Sequence, residues 1–74
     1  MVCGLVDKDF KVEIKELNND DINKLCKSYE YFSVGMNDEH YIFFDKEIYI
    51  KENIERISSM MVELNFELIK NNSK

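Results

Sequence analysis

Residues 53–70 read NIERISSMMVELNFELIK, and this stretch carries the clearest structural pattern in the chain. Its apolar residues recur three or four positions apart: Ile54, Ile57, Met61, Leu64 and Leu68. Residues at this spacing share one side of an α-helix, because a helix completes a turn in about 3.6 residues. We therefore predict a helix from residue 54 to residue 70, capped by Asn53 and followed by a disordered tail at residues 71–74.

Residues 40–50, just before this helix, read HYIFFDKEIYI and are rich in aromatic and β-branched side chains. Asp45 and Lys46 interrupt the run and suit a tight turn. We predict two strands, at residues 40–44 and 47–50, joined as a hairpin. The sequence leaves a rival open in which Asp45 caps a single long helix from Lys46 to Lys70, although the β-branched and aromatic residues after the turn disfavour it.

Residues 10–15, earlier in the chain, read FKVEIK, an alternation of apolar and charged side chains. This pattern is typical of a strand whose apolar side, here Phe10, Val12 and Ile14, faces a core. Residues 2–6 could pair with it and place Leu5 opposite Phe10. Whether they form a strand stays open, because chain termini are often frayed.

Residues 20–33 are predicted to form the first helix. Its apolar residues have helical spacing: Ile22, Leu25, Cys26, Tyr29 and Phe32. The preceding residues 18–21, Asn-Asn-Asp-Asp, offer capping oxygens and negative charge at the helix start. Gly35 can close the helix, and Asn37 and Asp38 continue the turn.

These elements predict a single α+β domain over residues 1–74, with a small single-layer antiparallel sheet of three or four strands and two helices, in the order (β)βαββα. A chain of 74 residues is near the lower size limit for a stable hydrophobic core. Chains this short usually gain stability from disulfides, a metal or a partner subunit.

Apolar side chains are more numerous than one core of this size needs. The predicted hairpin has apolar residues on both sides, since Ile42, Phe44 and Tyr49 alternate with Tyr41, Phe43, Ile48 and Ile50. Three apolar residues also lie on the second helix opposite its main stripe: Val62, Phe66 and Ile69. If both helices pack on one sheet face, the surplus forms an exposed patch. In the alternative, one helix covers each face and a three-layer sandwich buries the sheet residues.

We predict that this surplus binds protein, first of all a second copy of the chain as a homodimer. Tyr31 joins the candidates because it points away from the predicted stripe of the first helix, and exposed tyrosines are common at interfaces. The candidate contacts with a protein partner are Tyr31, Ile42, Phe44, Tyr49, Val62, Phe66 and Ile69.

No arrangement of residues in the sequence points to catalysis, a metal or a cofactor. Cys26 and His40 could form a nucleophile and base, but Cys26 lies on the apolar stripe of the first helix, where a thiol is usually a small core residue. Cys3, Cys26 and His40 are too far apart in sequence for a zinc motif. Gly4 and Gly35 do not form a phosphate-binding loop. We expect a protein that is not an enzyme and that holds neither metal nor cofactor.

The net charge of −5 and the mixing of Lys with Asp and Glu disfavour direct binding to nucleic acid. Two cysteines and the lack of a long apolar run indicate a cytoplasmic protein that does not cross a membrane. The scarcity of residues with GC-rich codons suggests an AT-rich gene.

These features favour a small acidic protein that regulates or inhibits a larger protein. An inhibitor encoded by a phage or mobile element and directed at a host enzyme or defence complex would fit. The alternative is a small-ligand-binding domain or an accessory domain of a larger complex.

Overall fold

The computed structural model describes residues 1–36 and 40–72. Within these ranges four strands and two α-helices follow one another in the order ββαββα. The strands are β1 (Val2–Val6), β2 (Val12–Glu16), β3 (Tyr31–Met36) and β4 (His40–Asp45), and the helices are α1 (Asn19–Lys27) and α2 (Ile54–Asn72). Two short 3-10 turns, Lys46–Ile48 and Lys51–Asn53, connect β4 to α2. The predicted α+β class and the order of elements are confirmed, and residues 2–6 do form a strand.

The strands form one sheet in the order β2-β1-β4-β3 over the described residues. The pairs β1–β2 and β3–β4 are antiparallel. At the centre β1 and β4 run parallel, with Leu5 beside Phe43 and Val6 beside Phe44. The prediction of a purely antiparallel sheet is therefore wrong for this central pair. β1 contains three buried residues and β4 contains four, whereas every residue of β2 is exposed, as expected when the parallel pair is covered on both faces.

The connection between β1 and β2 is organised by Asp7. Its Oδ1 atom accepts the N–H of Asp9 at 2.8 Å and the N–H of Lys11 at 2.9 Å. The turn therefore takes up residues 7–11 and is longer than a two-residue hairpin turn. As a result Leu5 lies opposite Glu13 in β2, and its predicted pairing with Phe10 is wrong.

The first helix begins as predicted and ends early. Asn18 Oδ1 accepts the Asp21 N–H at 2.8 Å, and the Asp21 carboxylate accepts the Asn18 N–H at 3.5 Å. This reciprocal pair is a capping box. The helix ends at Lys27, so its predicted continuation to residue 33 is wrong. Gly35 does not close it, because Gly35 lies in β3. The turn predicted at residues 37 and 38 lies outside the described residues.

The segment after β4 differs most from the prediction. Asp45 Oδ1 accepts the Glu47 N–H at 2.9 Å and starts the 3-10 turn, whose Ile48 is buried. The predicted strand at 47–50 and its hairpin are wrong, and so is the rival single helix from residue 46. β4 already has β1 on one side and β3 on the other, so no edge is free for a further hairpin strand.

The helices lie on opposite faces of the sheet, which is the three-layer alternative. The core on the α2 side consists of Val6, Ile42, Phe44, Ile48, Ile57, Leu64 and Leu68. The core on the α1 side consists of Cys3, Leu17, Ile22 and Phe43. β4 contributes to both cores, because alternate residues of a strand point to opposite faces. The predicted helix at 54–70 is confirmed, and it continues to Asn72, into the segment predicted as a disordered tail.

Candidate protein-binding surface

Two of the predicted contact residues are in the core. Ile42 and Phe44 are fully buried between the sheet and α2. Their assignment to an exposed patch is therefore wrong, since α2 covers the face that was expected to remain open. Neither side chain can reach a partner without unfolding of α2.

The two candidate tyrosines have different surroundings. Tyr31 lies in β3, not in a helix, and packs partly buried against the core on the α1 side. The reason given for its exposure is therefore wrong. Tyr49 is mostly exposed, although its ring lies 4.8 Å from the ring of Phe32, measured between centroids. Of the two, Tyr49 presents the larger surface to a partner.

The three candidates on α2 lie on its outer side. Val62 is 57% exposed, Phe66 is 63% exposed and Ile69 is 40% exposed. The side of α2 that faces the sheet is already buried through Ile57 and Leu64. Because α2 is anchored without them, the outer three do not serve the core. We call Val62, Phe66 and Ile69 the helix surface.

A second exposed apolar set lies on β2 and was not among the candidates. Val12 is 43% exposed and Ile14 is 41% exposed. The alternation in residues 10–15 predicted that these side chains face a core. They are on the α2 side of the sheet, but α2 packs over β1 and β4 and leaves β2 uncovered. Only the strand order, which local sequence does not contain, could have revealed this.

The backbone of β2 also has an open side. In the described part of the chain β2 pairs with β1 alone. The Leu17 N–H donates to the Met1 carbonyl at 2.8 Å, and the Asp7 N–H donates to the Lys11 carbonyl at 3.0 Å. The odd-numbered residues of this segment therefore direct their backbone groups toward β1. The N–H and C=O groups of Val12, Ile14 and Glu16 point away from the sheet.

Phe66 of the helix surface and β2 meet in a shallow cleft. Val12 and Ile14 line it from β2, and Glu63, Leu64, Phe66 and Glu67 line it from α2. Gly4 lies beneath, and a Cβ atom at this position would be 3.9 Å from Cδ1 of Ile14 and from Cδ1 of Leu64. The cleft therefore runs from the sheet edge to α2 and combines four apolar side chains with two carboxylates.

The residues considered for catalysis do not form a site. Cys26 is exposed, so its expected place in the core is wrong, and Cys3 is the buried cysteine. Burial raises the pKa of the Cys3 thiol above its ordinary value, which disfavours the reactive thiolate. His40 is buried at the start of β4. Across residues 1–36 and 40–72 no group of three or more His, Cys, Asp or Glu is placed to hold a metal ion.

Comparison with family models, with curated proteins and with solved structures gives no match for this chain. Neither α1 nor α2, the helices of the described residues, combines the length and the apolar character that a membrane span needs.

Proposed function

We propose that this protein is a small acidic binding protein that acts as a homodimer and regulates or inhibits a larger protein. The observation that supports this most is the helix surface. Large apolar side chains on the outside of a helix that is already anchored to its sheet are typical of interaction sites. These exposed side chains lower the solubility of the protein and add nothing to the core.

The charge around the helix surface indicates what kind of partner it fits. Glu63 and Glu67 lie in the cleft beside Phe66, and the chain as a whole carries a net charge of −5. An apolar groove flanked by Lys or Arg on the partner would complement both properties. Nucleic acid would not, because its phosphates would be repelled.

We also propose that the protein acts in the cytoplasm. Both cysteines, Cys3 and Cys26, are free thiols in this structure, and free thiols are stable in a reducing compartment.

Site-specific photocrosslinking in the native host tests the proposed binding surface. A photoreactive amino acid at Val62 is expected to crosslink to a second protein of different mass. The matched control is the same amino acid at Tyr29, which is 91% exposed but lies on the turn after α1. Equal crosslinking from both positions, or none from Val62, would contradict the proposal.

The alternative, a small-ligand-binding domain, would need a cleft that can hold the ligand. An open cleft of about 460 Å³ lies between α1 and the sheet, with Leu5, Leu17 and Leu25 among its lining residues. Five charged side chains of mixed sign line it, and all of them except the half-buried Asp21 are exposed to solvent and therefore fix a ligand weakly: Lys15, Glu16, Asp21, Lys24 and Glu30. Native mass spectrometry of the protein from its own host separates the two ideas, since a retained small molecule on a lone chain would favour the alternative.

A further inference from the structure

We propose that β2 pairs antiparallel with β2 of a second copy of the chain, centred on Ile14, so that the two sheets join into one. This inference deepens the homodimer of the proposed function and rests on it. An edge strand with unpaired backbone groups is a ready template for another strand. β2 has such an edge, and its two exposed apolar side chains lie beside it.

The backbone allows this pairing in full. Antiparallel strands exchange hydrogen bonds where both residues of a facing pair point their N–H and C=O groups at each other. With Ile14 opposite Ile14 of the second copy, Val12 lies opposite Glu16. All three residues have outward-pointing backbone groups. The whole of β2, Val12–Glu16, is then paired over its length.

The charges of β2 select this register. With Ile14 on the two-fold axis, Glu13 lies opposite Lys15 of the second copy, and Lys15 lies opposite its Glu13. Both pairs fall at positions without direct backbone hydrogen bonds, where facing side chains are closest. Since Glu13 and Lys15 are exposed, they are available for these ion pairs.

Neighbouring registers are less stable, because they bring like charges together or leave backbone groups without partners. A shift of two residues in one direction places Glu13 opposite Glu13 of the second copy, and a shift in the other direction places Lys15 opposite Lys15. Like charges directly opposite each other destabilise a strand pair. A shift of one residue places the outward-pointing backbone groups of one β2 opposite the inward-pointing groups of the other β2. It also places the apolar side chains of the two strands on opposite faces of the joined sheet.

The apolar cleft supports the same arrangement. The Ile14 side chains of the two copies meet on the α2 side of the joined sheet. Val12 and Phe66 of each copy line the continuation of the cleft and lose exposure there. Val62 and Ile69 lie farther around α2 and stay available for the larger partner.

Charge reversal tests the register directly. Glu13→Lys and Lys15→Glu each turn two attractive pairs into two repulsive pairs, so each is expected to weaken dimerisation about 10- to 100-fold. The double variant restores both pairs with the charges exchanged and should dimerise like the wild type. An equimolar mixture of the two single variants should form a heterodimer. Analytical ultracentrifugation over a concentration series measures each case, with circular dichroism to confirm folding.

The outcomes separate the interface from the proposed function. Net charge alone predicts that Lys15→Glu weakens dimerisation and Glu13→Lys strengthens it, and that result would overturn the interface. A wild-type dimer that no charge variant affects would overturn the β2 pairing and leave the homodimer standing. A wild-type chain that stays monomeric up to about 1 mM would overturn both. The photocrosslink from Val62 to a larger partner is independent of all three.

Hydrogen exchange gives a test that needs no variant. In the dimer the amide of Ile14 donates to the second copy, so its exchange is expected to slow as protein concentration rises, with the amides of Val12 and Glu16 following it. The amides of Glu13 and Lys15 donate to β1 within one chain. Their exchange rates should not depend on dimerisation in this way, so they serve as the internal control. If the Ile14 amide exchanges fast at every concentration at which the protein is dimeric, the proposed pairing is wrong.

Discussion

Gly4 lies at the centre of the sheet, beneath the cleft that joins β2 to α2. It has an extended conformation in β1, and a Cβ atom there would meet Ile14, Ile42 and Leu64 at 3.9 Å, an ordinary contact distance. The position therefore tolerates one methyl group. Glycine at this site gives the unfolded chain extra freedom without a structural need for it in β1.

We expect Gly4→Ala to raise the free energy of unfolding by about 0.5–1 kcal/mol, because it restricts the unfolded chain and adds contacts. Gly4→Val adds two further methyl groups against close-packed neighbours and should destabilise by about 1–3 kcal/mol. Urea denaturation at one fixed protein concentration measures both. Destabilisation by Gly4→Ala would show that the contacts above Gly4 are tighter than the structure gives.

The two thiols should differ in reactivity. Cys26 is exposed, and Cys3 is fully buried with a pKa raised by that burial. We expect a thiol reagent at neutral pH to modify Cys26 quickly and Cys3 only on unfolding. Mass spectrometry after partial labelling locates the modified residue. Rapid labelling of Cys3 in the folded protein would contradict its placement.

The raised pKa of Cys3 has a consequence for stability. The folded state holds Cys3 as the neutral thiol and disfavours the thiolate. The contribution of the buried neutral thiol to the free energy of unfolding is therefore complete below the ordinary thiol pKa. It is lost as pH rises above that value, because the unfolded chain then ionises more readily. Replacing Cys3 by Ala should make the alkaline fall in stability shallower, and urea denaturation between neutral and alkaline pH measures the difference.

At the scale of elements, α1 depends on its cap. The helix is short, and its capping box joins Asn18 to Asp21. We expect Asn18→Ala to lower the free energy of unfolding by about 1 kcal/mol. Asn19→Ala is the matched control, since Asn19 is the first residue inside the helix and makes no capping bond in this box. Equal effects of the two substitutions would contradict the role of the cap.

The elements that local sequence predicted correctly are those with a long and unambiguous pattern. The stretch 54–70 forms α2, and the strand predicted at residues 10–15 is present as β2, which begins two residues later and ends one residue later. The error after Lys27 has a physical cause. Tyr29 and Phe32 continue the helical spacing of α1, but Phe32 instead stacks on Phe44 across β3 and β4, with ring centroids 5.2 Å apart. That pairing joins residues distant in sequence and is invisible to a local pattern.

The candidate surface was predicted in part for the same reason. Val62 and Phe66 are exposed as expected, because helical spacing alone separates the two sides of α2. Ile42 and Phe44 are buried, because their exposure depended on where both helices pack. Ile14 was expected in a core, and its exposure depends on the position of β2 at the sheet edge. Tertiary arrangement decides the burial of Ile42 and Phe44 and the exposure of Ile14.

At the scale of the whole molecule, the three-layer fold changes the argument for a partner. The apolar residues on both sides of β4 are covered within one chain and no longer call for a second one. What remains is narrower: the helix surface on α2, the exposed side chains of β2, and the unpaired backbone of the same strand. Phe66 adjoins the exposed side chains of β2 across the cleft, and Val62 and Ile69 lie farther around α2.

The exposed edge of β2 is proposed to meet the same edge of another copy of the chain. The molar mass in solution, measured by size-exclusion chromatography with light scattering over a range of concentrations, tests it most directly. We expect a mass that approaches twice the 8.9 kDa of one chain as concentration rises. A mass that stays at 8.9 kDa at every concentration would contradict it.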